Sequence, residues 1–170
     1  NDKKVYKFFT NEKIILKRYQ RAKILKPFIP NLIKKTRYFY VYSYKNGNVF
    51  SKIKNKKKEF LKLLDWLQNV FWKKQKLNNL KKLSFQEKCN SFYYEKSWSR
   101  INFLFEKNNL NDQIEIINNS KTLKISSMFE RINWKDLNNG IPVNFHGDLH
   151  FENIIKNKEK ITLLDWREDF

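Results

Sequence analysis

The chain has 170 residues, of which 41% are apolar and 16% aromatic, and this composition excludes an intrinsically disordered chain. Its formal net charge is +19, but the lysines are spread along the chain instead of forming one basic stripe, so a dedicated nucleic-acid surface is not expected. Cys89 is the single cysteine, which excludes an intrachain disulfide and favours a reducing, cytoplasmic compartment.

The N-terminal part predicts a strand, a helix and a second strand. Residues 5–9 are a short apolar and aromatic run typical of a strand. From Glu12 the apolar residues recur at helical spacing until Pro27 stops the helix. Residues 37–44 are aromatic and β-branched, and Asn46-Gly47 then predicts a turn or hinge.

From residue 55 the chain is predicted to be mostly helical. An apolar stripe on the first of these helices is expected to face the core. It consists of Phe60, Leu61, Leu64, Leu67, Val70 and Phe71. Ser84 and Glu87 have the spacing of a capping box at the start of a second long helix. A third helix is predicted over residues 120–137, ended by Gly140 in the left-handed conformation.

Two short extended segments, residues 143–145 and 161–164, complete the predicted elements. This order favours an α+β architecture with a boundary near residues 46–51. The expected domains are a partial N-terminal lobe, 1–47, and a mainly helical C-terminal lobe, 48–170. We expect a fragment of a longer protein, because the chain opens without Met. The chain has no run of about 18 apolar residues, so no membrane span is predicted. No feature of the sequence indicates an oligomeric state.

Four polar residues near the C-terminal end have a spacing suited to phosphoryl transfer. His146, Asp148 and Asn153 form the pattern H-x-D-x-x-x-x-N, and Asp165 follows the apolar run 161–164. Phosphoryl transfer needs a carboxylate to orient the attacking hydroxyl and accept its proton, and oxygen ligands to hold Mg²⁺. Asp148 suits the first task, and Asn153 and Asp165 suit the second.

These segments resemble those of a known family. Residues 146–153 resemble the catalytic loop of the aminoglycoside phosphotransferase and choline kinase group, in which a glycine, here Gly147, stands where protein kinases have arginine. Residues 163–166, Leu-Leu-Asp-Trp, resemble the metal-binding segment of the same group. The resemblance implies a two-lobed protein-kinase-like fold, ATP and Mg²⁺ as cofactors, and a small-molecule hydroxyl as acceptor.

Specific roles follow from this resemblance. It implies that Asp148 is the catalytic base, that Asn153 and Asp165 are the Mg²⁺ ligands, and that His146 is a scaffold for the loop. These assignments cover the segment that carries the specific motifs, residues 143–168.

The N-terminal part carries a weaker likeness. Lys7 resembles the strand lysine that pairs with nucleotide phosphates, and its usual partner is a glutamate on the next helix. This chain has Gln20 where that glutamate is expected, and no glycine-rich loop precedes Lys7. Residues 42–46, with Tyr44, are expected to form the hinge that receives adenine.

Three functions compete at this stage. The first is an ATP-dependent O-phosphotransferase acting on a sugar, an aminoglycoside or an amino alcohol such as choline. Residues 17–25 and the Leu-Asp-Trp-Arg sequence also resemble phosphotransferase-like proteins of bacterial surface-polysaccharide synthesis. The second is a pseudokinase-like or truncated nucleotide-binding protein, because of Gln20 and the missing loop. The third is a basic nucleic-acid-binding domain.

Other residues near the motif have alternative interpretations. His146 and His150 could suggest zinc, but such a pair needs a helix to align it. Glu152 is either a further metal ligand or a solvated carboxylate. Trp166 is expected to shape the acceptor pocket, and residues 167–169 either bind an acceptor amine or hydroxyl or form a surface turn.

Overall fold

The computed structural model describes residues 3–168, which mix helices with small antiparallel sheets in two compact units. The first unit joins the chain up to Lys74 with the chain from Val143 onward, and the second spans Gln75–Pro142. The strands are β1 (Lys4–Phe8), β2 (Leu32–Lys35), β3 (Phe39–Ser43), β4 (Asn48–Val49), β5 (Ile116–Ile117), β6 (Ser120–Lys121), β7 (Ile154–Asn157) and β8 (Lys160–Leu163). The helices are α1 (Glu12–Ile24), α2 (Lys56–Trp66), α3 (Asn79–Asn90), α4 (Lys96–Asn108), α5 (Ile125–Glu130) and α6 (Trp134–Asn138).

The first sheet has the order β1-β3-β2 and is antiparallel throughout. Its register places Lys7 opposite Tyr40. The two strands predicted here are confirmed within one or two residues, because each is a dense run of aromatic and β-branched side chains. The edge strand β2 was not predicted, since it is half lysine and mostly exposed.

Helix α1 begins where the periodicity predicted. The side chain of Asn11 caps it by accepting a hydrogen bond from the Lys13 N–H at 2.9 Å. Its inner face buries Ile15 and Ala22. The helix ends at Ile24, before Pro27, as predicted.

The second sheet has the order β4-β7-β8. Gly47 precedes β4 with a φ of 148°, and a Cβ built on it would lie 2.6 Å from Ile155 Cγ2 and 2.7 Å from the Lys156 carbonyl oxygen. The missing side chain therefore lets β4 approach β7 closely. Residues on both sides of the expected domain boundary after residue 47 belong to the first unit.

The core of the first unit is built around Trp166, which is fully buried together with Tyr40, Phe71 and Leu163. Helix α2 and the π-helical turn after it contribute one buried face to this core. Its residues are four positions apart, namely Leu63, Leu67 and Phe71. The wide stripe predicted on this helix was therefore wrong in part. Four of its members are more than a third exposed, namely Phe60, Leu61, Leu64 and Val70.

Helix α3 of the second unit starts earlier than predicted. The Asn78 side chain accepts a hydrogen bond from the Lys81 N–H at 3.0 Å and caps the helix. Ser84 and Glu87 lie inside α3, so the predicted capping box was wrong. The long helix predicted for this region is confirmed, since a π-helical turn over Ser91–Glu95 leads directly into α4.

The helix predicted over residues 120–137 was wrong. Asn118 and Asn119 have φ values of 50° and 62°, which suit the tight turn of the β5–β6 hairpin. Only the short helices α5 and α6 follow. Gly140 does not adopt the left-handed conformation predicted for it, since it is not among the glycines with positive φ.

An aromatic cluster holds this part of the second unit together. The Phe129 ring lies 4.4 Å from Trp134, 5.0 Å from Trp98 and 5.2 Å from Tyr94, measured between ring centroids. The Trp134 indole N–H donates to the Phe129 carbonyl at 2.9 Å. Trp98 and Trp134 therefore serve packing within this unit. Across residues 3–168, no helix combines the length and apolar character needed to cross a membrane.

Gly47→Ala is expected to lower the free energy of unfolding by about 1–3 kcal/mol, because the methyl group would overlap β7 and the backbone conformation favours glycine. The measurement is urea-induced unfolding followed by circular dichroism. Gly140→Ala is the matched control, since the nearest heavy atom to its Cβ would be 3.6 Å away, an ordinary contact. Equal stability of the two variants would contradict the prediction.

Candidate active site

The β7–β8 hairpin brings the two ends of the motif region together. Ile154 is opposite Leu163 in the register, so Asn153 and Asp165 flank the same end of the hairpin. The Leu164 N–H donates to the Asn153 carbonyl at 2.8 Å, which extends the pairing by one residue. Two oxygen-bearing side chains that are distant in sequence therefore lie at neighbouring positions of one rigid element.

Lys7 meets Asp165 at this end of the hairpin. The Lys7 ammonium lies 2.6 Å from Asp165 Oδ1, and both side chains are about one third exposed, at 33% and 34%. Asp165 has a φ of 57°, in the left-handed region that few residues other than glycine adopt. Such conformations persist where the surrounding structure holds them, and they cluster at functional sites.

Asp148 lies on the loop before β7 with its carboxylate 42% exposed. Its backbone is fixed because the Asn153 side-chain amide donates to the Asp148 carbonyl at 2.9 Å. The Asn153 N–H also donates to the His150 carbonyl at 2.9 Å. The loop therefore presents an accessible carboxylate from a backbone that Asn153 holds at two points.

Gly147 allows the loop to approach the segment after β8. Its φ is 89°, and a Cβ built on it would lie 2.7 Å from Arg167 Cβ. The Arg167 N–H donates to the His146 carbonyl at 3.0 Å. The Arg167 side chain lies beside Asp148, with Nε 3.7 Å from Asp148 Oδ2, while His150 Nε2 is 4.0 Å from Oδ1 of the same carboxylate.

His146 is buried beneath the loop, with 1% of its surface exposed. Burial lowers the pKa of His146 to about 4, against the opposing influence of the Leu164 and Asp148 backbone and of the Asp148 charge. The ring is therefore neutral near pH 7. A buried neutral imidazole suits a scaffold better than a group that exchanges protons with a substrate.

Two buried arginines on α1 hold the segments that carry the site. Arg18 Nε donates to Glu168 Oε2 at 2.8 Å, and the Trp166 indole N–H donates to the Arg18 carbonyl at 2.9 Å. The Arg21 guanidinium donates to the Phe145 carbonyl. Helix α1 thus fixes both the entrance to the loop that carries Asp148 and the exit from β8.

The Arg18 and Glu168 pair is well shielded, with 7% and 19% of the two side chains exposed. Burial alone would raise the pKa of Glu168, but its own backbone N–H and the hydrogen bond from Arg18 lower it below the usual value. Sequence reasoning missed both arginines. The available signal was that positions 18 and 21 fall on the helix face of Ile15, Ala22 and Leu25, where a basic residue is unusual.

The predicted nucleotide-binding residues are not all gathered at this site. Gln20 is exposed on α1, and the ion pair of Lys7 is with Asp165. Glu12, the first acidic residue of α1, pairs with Arg37 at 2.7 Å. Tyr44 directly follows β3 and is 48% exposed.

Trp166 does not line an acceptor pocket as expected, because it is fully buried, with its ring 5.6 Å from Tyr40 and 6.2 Å from Tyr42. Glu152 accepts a hydrogen bond from Ser51 Oγ at 2.8 Å.

The oxygen donors at the hairpin end suit a hard cation. Asn153 is buried, and its amide nitrogen is occupied by the Asp148 carbonyl, which leaves its amide oxygen as a candidate ligand. Asp165 adds a carboxylate whose buried Oδ1 pairs with Lys7. An amide oxygen and a carboxylate fit the preference of Mg²⁺ for oxygen ligands. Within residues 3–168 no group of three or more His, Cys, Asp or Glu side chains is placed to hold a metal ion.

Comparison with protein-family models, with curated proteins and with solved structures found no match to this chain.

The burial of His146 predicts a loss of stability in mild acid. The folded state disfavours the imidazolium, so the unfolded chain binds more protons between about pH 6.5 and pH 4. The contribution of His146 is complete above pH 6.5 and is lost as the pH falls toward 4. We expect this residue to account for about 2 kcal/mol of the stability lost between pH 7 and pH 4.5.

The measurement is denaturant unfolding at both pH values for the native chain and for His146→Gln, which lacks the titrating ring. The difference between pH 7 and pH 4.5 should be smaller in the variant. A His146 ring signal in NMR that titrates near pH 6.5 in the folded protein would refute the prediction.

Proposed function

We propose that this protein is an ATP-dependent O-phosphotransferase with a two-lobed, protein-kinase-like fold. The observation that carries the proposal is the ion pair of 2.6 Å between Lys7 and Asp165, residues from opposite ends of the chain. Both were singled out from the sequence for phosphate and metal binding. Asn153 flanks the same hairpin end, and Asp148 is tied to it through the Asn153 side chain.

Asp148 is the proposed catalytic base. Its exposed carboxylate would accept the proton of the acceptor hydroxyl as that oxygen forms a bond to the γ-phosphorus. The bond from phosphorus to the bridging oxygen then breaks, and its electron pair leaves with the nucleoside diphosphate. Positioning contributes more to such a transfer than covalent chemistry does, so the tied backbone of the Asp148 loop favours this role.

Asn153 and Asp165 would hold Mg²⁺, which when bound offsets the charge on the phosphate oxygens. The Lys7 ammonium is the candidate phosphate contact, and it can reach a nucleotide by exchanging the Asp165 carboxylate for phosphate oxygens. His146, neutral and buried, would keep the loop in place. The Arg18 and Arg21 contacts fix the position of the whole arrangement relative to α1.

The acceptor proposed from the resemblance alone is a sugar, an aminoglycoside or an amino alcohol such as choline, in a cytoplasmic enzyme. Surface-polysaccharide synthesis is the proposed setting.

A second candidate function is nucleotide binding without transfer. It is favoured by the surroundings of Lys7, because Gln20 is exposed and the first acid of α1 pairs with Arg37. Lys7 therefore lacks a carboxylate from α1 among the described residues. A lysine without that partner is less firmly oriented toward phosphate, which would weaken catalysis more than binding.

Nucleotide binding is tested by thermal unfolding with and without ATP and Mg²⁺. A ligand that binds only the folded state raises its stability by roughly 2.7 kcal/mol at a hundredfold excess over Kd. We expect a Mg²⁺-dependent rise in Tm that is lost in Asp165→Asn. Glu159→Gln is the control, since it removes one negative charge from a side chain that is 82% exposed. An equal rise in both variants would argue against the Asp165 site.

Catalysis is tested separately from binding with Asp148→Asn. We expect this variant to keep the nucleotide-dependent rise in Tm and to lose phosphate transfer by about 10²–10⁴-fold, the usual contribution of a general base. The assay measures transfer of labelled γ-phosphate to a panel of sugars and amino alcohols. Binding without transfer to any member by the native chain would favour the second candidate function.

A further inference from the structure

The charges around Asp148 carry an inference about the acceptor, which rests on the proposed phosphotransferase function. Each of three acidic side chains at the site already has a cationic partner. Lys7 pairs with Asp165, Arg18 with Glu168, and Arg167 lies beside Asp148. A fourth, Glu152, accepts a hydrogen bond from Ser51.

An acceptor that carries an ammonium group would find poor recognition here. Binding such a group requires an available carboxylate or an exposed aromatic face. The carboxylates of Asp165 and Glu168 are paired with Lys7 and Arg18. Trp166, the aromatic residue next to the metal-binding position, has no exposed surface. An ammonium group at Asp148 would lie close to the Arg167 guanidinium, and the two positive charges would repel each other.

Arg167, by contrast, offers an exposed positive charge. Its side chain is 41% exposed, and the distance of 3.7 Å from Nε to Asp148 Oδ2 is too long for a hydrogen bond. Within residues 3–168 the guanidinium makes no side-chain hydrogen bond and has Asp148 as its ion-pair partner. Its terminal N–H groups are therefore available to a ligand.

The backbone and Cβ of Arg167 are held next to the loop that carries Asp148. The Arg167 N–H donates to the His146 carbonyl, and the Arg167 Cβ packs where a side chain on residue 147 would otherwise lie. The side chain therefore starts beside the Asp148 loop, and its Nε lies 3.7 Å from Asp148 Oδ2. An arginine so placed suits two-point recognition of a phosphate or carboxylate group.

We propose that Arg167 is a specificity-determining residue that binds an oxyanion group of the acceptor while the acceptor hydroxyl lies at Asp148. The acceptor class is thus a hydroxy compound with a phosphate or carboxylate a few bonds from the reacting hydroxyl, such as a sugar phosphate or a sugar acid. Cationic amino alcohols and aminoglycosides are disfavoured by the same charges.

The test is calorimetric binding of four matched probes without nucleotide, namely glucose, glucosamine, glucose 6-phosphate and glucuronate. We expect the native chain to bind at least one of the two anionic probes ten or more times more tightly than glucose and glucosamine. The phosphate and carboxylate probes show which oxyanion is preferred. Tighter binding of glucosamine, or equal binding of all four, would overturn the inference.

The role of Arg167 is tested by Arg167→Gln, which should reduce the preference for the anionic probe by at least tenfold. Arg37→Gln, an arginine 67% exposed and distant in sequence, is the matched control and should keep it. Equal loss in both variants, or no loss in Arg167→Gln, would assign the preference to the general charge of the protein and refute the role. Arg167→Lys serves if the glutamine variant does not fold, since it keeps the charge but loses the fork and should lose part of the preference.

The Tm measurement with ATP and Mg²⁺ on the same samples separates the proposed phosphotransferase function from the proposed anionic acceptor. A nucleotide-dependent rise together with no preference for an anionic probe would refute the acceptor class alone. Preference dependent on Arg167 with no effect of nucleotide would refute the phosphotransferase and leave an oxyanion-binding site.

Discussion

The antiparallel pairing of β7 with β8 is the constraint on which the candidate site depends. Because Ile154 is opposite Leu163, Asn153 and Asp165 must lie at the same end of one hairpin. Leu163 and the neighbouring Trp166 are fully buried, so the hairpin cannot shift its register without exposing core residues. Packing energy in the first unit therefore also fixes the geometry of the polar groups.

Helix α1 adds a polar constraint to this apolar one. Arg18 and Arg21 lie on its buried face and contact the chain on either side of the hairpin, at Glu168 and at the Phe145 carbonyl. Shielded charges of this kind contribute little net stability but tolerate few alternative partners, since an unpaired buried charge is costly. We infer that they select one position of α1, and Lys7 reaches Asp165 from the strand that precedes it.

The elements that could be predicted from the sequence are those that depend on local signals. Strands β1 and β3 of the first sheet and the start of α1 were predictable, because hydrophobic periodicity and a capping residue are local signals. The capping box at Ser84 and the helix over residues 120–137 were wrong, since Asn78 and the Asn118-Asn119 turn compete with those patterns. His146, Asp148, Asn153 and Asp165 were singled out from their spacing and from a family resemblance, and their roles are proposals.

The sequence by itself determined which chemical groups are available. They are the carboxylate of Asp148 on a loop, the amide of Asn153 and the carboxylate of Asp165 as candidate metal ligands, and the ammonium of Lys7 on a strand. Only the tertiary structure decided how they are paired, because an ion pair between Lys7 and Asp165 depends on the meeting of two segments from opposite ends of the chain. The same holds for Arg167 beside Asp148, where Gly147 removes the side chain that would keep them apart. Spacing encodes local geometry, whereas charge pairing depends on which distant residues the core brings together.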